Sequence, residues 1–170
     1  MPSSPFAHLV RLVAFALAVG ITATPAAAQG LVATHRISAA IANELVVGAV
    51  AACKQKNYNV TAVVLYIDGV RQALLRGDGA GIATLEVAYD KAFTSITTRS
   101  DGGVLVDRFK TTPPSQFFLK PPHMLLLQGA IVIKVGEETI GALGVAGAPG
   151  GDKDEACARA ALEKAADQLK

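Results

Sequence analysis

The stretch Leu74-Leu75-Arg76-Gly77-Asp78-Gly79-Ala80-Gly81-Ile82-Ala83-Thr84-Leu85-Glu86 decides the fold. It leaves an apolar strand at Gly77, turns through glycines at 77, 79 and 81, and enters a helix at Thr84. Glycine permits a tight corner and close approach of another group to the backbone. Thr84 is a good N-cap, and Glu86 in the first turn suits the helix dipole. Leu85, Tyr89, Ala92, Phe93 and Ile96 then recur at helical spacing, so a helix with one apolar stripe follows the corner.

Upstream, Ser38 to Lys56 reads as a helix. Ser38 caps it, Ile41, Leu45, Val46, Ala49, Val50 and Cys53 form its apolar face, and Asn57 is its exit. Val60 to Ile67 is β-branched and apolar, as in a central strand. Asp68-Gly69 is a hairpin signal, and Val70 to Arg76 is the returning strand. Downstream, Ser100 to Gly103 is a turn and Val104 to Lys110 a short helix. Thr112-Pro113-Pro114 and Lys120-Pro121-Pro122 bracket Phe117-Phe118-Leu119 and forbid a central strand there. Ala130 to Val135 and Glu138 to Val145 form a second hairpin about Gly136-Glu137. A last helix, capped by Asp152 or Asp154, runs to about Leu169. Two hairpins with intervening helices specify an α+β fold with a mainly antiparallel sheet.

The glycine corner, followed by Asp90-Lys91-Ala92-Phe93-Thr94, resembles the GlcG/HbpS-like (haem-degrading, DUF336) family. It is similar also to the C-terminal domain of PduO-type corrinoid adenosyltransferases. Two further segments carry the resemblance, Gly141 to Pro149 and Asp152 to Ala158, and it spans about Ile37 to Leu169. It implies about five strands in a profilin- or PAS-like sheet, assembly as a homo-oligomer, and haem or a related tetrapyrrole as ligand. Departures from the family pattern are Tyr66 where many relatives carry an aspartate, Ile82-Ala83 where some secreted relatives carry proline-histidine, and a single Gly129 before the second hairpin. The loop histidine of those relatives is therefore missing.

Residues 1–28 have the form of a cleaved signal peptide: Arg11, an uncharged apolar run from Leu12 to Ile21, and the small-residue site Ala26-Ala27-Ala28 before Gln29. The run is short for a membrane span. Residues 29–170 then form a single periplasmic or secreted domain with no membrane span. The chain carries 16 Lys+Arg against 14 Asp+Glu, with no basic run, which disfavours a nucleic-acid partner. Cys53 and Cys157 are the only cysteines, and an oxidising compartment permits their pairing if the first and last helices pack side by side.

His35 and His123 are the histidines outside the leader. Neither has a zinc-type partner spacing, and each is a candidate haem-iron ligand or a surface loop residue. No serine lies on a nucleophile turn, no Walker loop is present, and the corner is not part of a βαβ unit. Arg76 is read either as a fork for a propionate or as the ion-pair partner of Asp78. Lys91 is either a further ligand contact or part of a solvated helix face. The expected cofactor-binding set is thus His35, Arg76, Asp78, Gly79, Thr84, Lys91 and His123, with the histidines approaching the corner from the same or an adjacent subunit. The expected role is binding, storage or sensing of haem rather than catalysis. The alternatives are a cofactor-free accessory subunit, or an enzyme acting on a small organic acid at the Arg76 corner.

Overall fold

The computed structural model describes residues 30–170; the expected leader, residues 1–28, lies outside them. The elements follow in the order α1 (Ala39–Lys54), β1 (Thr61–Tyr66), β2 (Arg71–Arg76), α2 (Thr84–Thr98), α3 (Gly102–Thr111), β3 (Ala130–Val135), β4 (Glu138–Ala146) and α4 (Gly151–Ala165). A single 3-10 turn, Ala166–Leu169, ends the chain. The strands form one antiparallel sheet in the order β2-β1-β4-β3. The described residues hold four strands, close to the expected five or so, in the expected mainly antiparallel α+β arrangement. The proline-bracketed segment before β3 stays irregular and is pinned to α2 instead, through a bond from Leu125 N–H to Thr94 Oγ1 at 2.7 Å.

Alternation along the strands assigns the two faces. Ala62 and Val64 of β1, with Leu143 and Val145 of β4, pack against α1 and α4. Val63 and Leu65, with Ala142 and Ala146, face α2. The α2 face is built for close approach. A Cβ on Gly144 would lie 2.2 Å from the Ala88 carbonyl oxygen and 2.9 Å from Ala92 Cβ, so only glycine lets the helix sit down on β4. On the opposite face Cys53 and Cys157 are bridged, with Cα atoms 5.4 Å apart, tying α1 to α4 as their expected packing allows.

Ser38 caps α1 by accepting the Ile41 N–H at 3.2 Å. Ser38→Ala should lower stability by about 1 kcal/mol in a denaturant titration. The other expected caps are corrected. The N-cap of α2 is Ala83, and Thr84, already helical, spends its hydroxyl on the Gly81 carbonyl at 2.6 Å. The N-cap of α4 is Gly150; Asp152 and Asp154 fall in the first turn, where their charge still suits the dipole. The β1–β2 turn is as read: Gly69 has φ +81°, and Val70 N–H donates to Asp68 Oδ1 at 3.2 Å. None of the described helices is long and apolar enough to cross a membrane.

Candidate functional site

The expected site residues fall in three places within one chain. The glycine corner lies where β2 ends, beside the start of β1 and the end of β4, because Thr61 pairs with both Arg76 and Ala146. His35 lies at the other end of the sheet, bonded to Glu138 at the start of β4. The length of β1 separates these ends, about 17 Å at ~3.3 Å per residue. His123 sits on α2, across the sheet from α1 and α4.

At the corner, Arg76 donates from both Nε and Nη2 to the Ala80 carbonyl, at 2.8 and 2.5 Å. Neither the free fork nor the Arg76–Asp78 ion pair forms; the guanidinium staples its own loop. Gly79, at φ +79°, lies against the Asn59 side chain. The Thr84 hydroxyl lies 2.6 Å from that of buried Thr61. An open cleft of about 650 Å³ results, lined by Asn57, Tyr58, Asn59, Gly79, Thr84 and Gly147 among others. It has amides, hydroxyls and an aromatic ring, but no histidine and no cation on its lining. Arg76→Ala should therefore loosen the 77–81 loop, read as faster amide exchange at Ala80 and Gly81, rather than abolish a charge contact.

Lys91 is not on a solvated face. Its side chain is 4% exposed, and Nζ donates to Asp154 Oδ2 at 2.7 Å and to the Val145 carbonyl at 3.2 Å. Asp154 Oδ1 in turn accepts the Ala148 N–H at 2.8 Å. Burial pushes the Asp154 carboxyl upward, against the pull of the Lys91 ammonium. The pair anchors the Gly147 loop from beneath and is unavailable to a ligand.

His123 adopts φ +69°, with Nδ1 2.8 Å from Asp90 Oδ1. Its ring stands edge-on to Tyr89 and Phe93, with centroids 5.0 and 5.7 Å away. This is a histidine on an aromatic shelf. In the proline-bracketed segment, Phe118 packs on Phe109 while Phe117 is left 65% exposed.

His35 has the most developed surroundings. Its Nδ1 lies 2.6 Å from Glu138 Oε2, and its backbone N–H donates to Glu138 Oε1 at 3.3 Å. The hydrogen bond from His35 holds the Glu138 carboxyl below the usual carboxylate range. Arg36 pairs with Asp68 at 2.9 Å and stacks over the Tyr66 ring at 4.6 Å. Tyr66 Oη donates to the Ile37 carbonyl at 3.1 Å. Tyr66, the departure from the family pattern, thus fixes the segment that carries His35. Beside it is a cleft of about 320 Å³, with a floor of Ile37, Ile41, Val135, Ile140 and Leu169, and with His35, Arg36 and Lys170 on its lining. Glu138, Arg36 and Tyr66 were not among the expected site residues. Glu138 is 103 positions from His35, and no local pattern signals such a contact. Among the described residues no three His, Cys, Asp or Glu side chains converge as a metal site.

Solved structures share this architecture. HbpS matches at 30% identity over 79% of this chain and 94% of its own, with a TM-score of 0.74. A glutamate-to-aspartate double mutant of HbpS from Streptomyces reticuli matches at 31% identity over 84% and 97%, also with a TM-score of 0.74. PduOC, solved as a complex with haem, is similar in fold at 19% identity over 76% and 94%, with a TM-score of 0.69. No curated protein sequence matches significantly. The family model for haem degrading protein HbpS-like matches residues 37–163, nearly the whole of the four-helix, four-stranded unit, and the chain belongs to that family.

Proposed function

We propose that this is an exported haem- or tetrapyrrole-binding protein, working by binding, storage or sensing in the periplasm or outside the cell as a homo-oligomer. Family membership and the haem complex of PduOC support the ligand class. The observation that carries the reading is His35: an imidazole whose Nδ1 is held by a carboxylate, beside an apolar cleft with Arg36 and Lys170 on its lining.

The donor set fits haem. A histidine nitrogen is a common axial ligand, and metal-bound histidines usually give their other N–H to a carboxylate or carbonyl. Isoleucine, valine and leucine offer the macrocycle an apolar floor. Arg36 and Lys170 can pair with propionates; both now sit in exposed ion pairs, which cost little to exchange. Bound haem would supply the redox chemistry of its iron, while the protein binds and orients it. The corner cleft, with Arg76 and Lys91 committed to structural contacts, suits an anionic ligand less well.

Hemin titration of the purified protein tests this. The expected result is a saturable Soret shift, moved or weakened by His35→Ala. Arg36→Ala should weaken binding by roughly 1–3 kcal/mol if its guanidinium takes a propionate.

A further inference from the structure

We infer that Glu138 is the positioning residue for His35: it fixes the imidazole as its Nδ1–H tautomer and so leaves the Nε2 lone pair as the ligand atom. This rests on the haem-binding reading above for the ligand's identity, but the clamp itself is a property of the ligand-free protein.

The tautomer follows from donor counting. An ionised carboxylate can only accept hydrogen bonds. Glu138 Oε1 receives the backbone N–H of His35, which is a donor in any state. Oε2 lies 2.6 Å from Nδ1, a hydrogen-bond distance, so the ring nitrogen must carry the proton. Neutral imidazole has one donor and one acceptor nitrogen, and the acceptor is then Nε2. No protein group bonds Nε2 among the described residues.

Two contacts from one carboxylate to one residue also restrict the ring's position. The flanking segment is fixed independently by the bond from Tyr66 Oη to the Ile37 carbonyl. Glu138 itself opens β4, whose next residues, Thr139 and Ile140, are buried. The clamp therefore has a rigid base, and Ile140 is part of the cleft floor. A ligand histidine held in this way has a more basic metal-binding nitrogen and a lower ordering cost on binding.

Nitrogen-15 NMR of the histidine rings in the hemin-free protein reads the tautomer directly. Wild-type His35 should be the Nδ1–H form, and Glu138→Ala should shift it toward the Nε2–H form that free imidazole side chains favour. Hemin affinity should fall by about 10- to 100-fold in Glu138→Ala. In a His35→Ala background the same change should have no further effect, because Glu138 acts through the ring. An Nε2–H His35 in the wild type overturns the clamp whatever hemin does. Equal losses from Glu138→Ala with and without His35 overturn the positioning role. A wild type that shows the Nδ1–H form but binds no hemin overturns the functional reading, and the ligand role of His35 with it.

Discussion

Lys91→Met is expected to lower the free energy of unfolding by about 3–5 kcal/mol, the usual cost of stranding one member of a buried ion pair. Asp154 is 2% exposed and would lose its one cationic partner among the described residues. It would remain bonded to the Ala148 N–H, which does not neutralise its charge. A double variant, Lys91→Met with Asp154→Asn, should recover much of the loss. Asparagine keeps an oxygen for Ala148 and removes the charge. Urea midpoints of the two variants give the comparison. A single variant as stable as wild type would mean that water reaches Asp154, contrary to its burial.

The second large effect is that of the disulfide. Its ends are 104 positions apart, and in the chain-entropy model a closed loop of that length stabilises by about 4–5 kcal/mol. Cys53→Ala with Cys157→Ala should therefore shift the denaturant midpoint strongly downward. Both sulfurs are buried in the layer between α1, α4 and the sheet, so alanine also leaves a small void there. Thiol counting under denaturing, non-reducing conditions should find no free cysteine in wild-type protein. Two titratable thiols in freshly isolated protein, or an unchanged midpoint in the double variant, would show that the bridge is absent.

What could be read from the sequence was local. Asp68-Gly69 announces its turn because the φ it needs is one glycine adopts without strain. Ser38 announces α1 because its hydroxyl reaches a nearby N–H. The glycine corner marks the passage from β2 to α2, though not its cap. The face of α2 was read in part. Ala92 and Ile96 of the expected stripe are buried, but the sheet beneath presents Gly144 and Ala146, and so the small Ala88 packs closest while the larger aromatics stay at the margin. Tyr89 and Phe93 are left half-buried beside His123. Lys91 turns inward because Asp154, 63 positions later, awaits it, and no periodicity contains that partner.

The candidate site shows the same division. His35 was legible as a possible ligand from its residue type alone. Its carboxylate, the tyrosine that holds its segment and the cleft beside it come from β1, β4 and the C-terminal turn. Conversely, Arg76 and Asp78 looked like partners because they are two residues apart at a corner. The Ala80 carbonyl takes both guanidinium donors first.

Hemin titration of wild-type protein beside His35→Ala and His123→Ala tests the central claim most directly. Haem binding at the His35 cleft predicts a saturable Soret change in the wild type and in His123→Ala, with loss or displacement of the band only in His35→Ala. No saturable change in the wild type, or a His35→Ala protein that titrates like it, would contradict the claim.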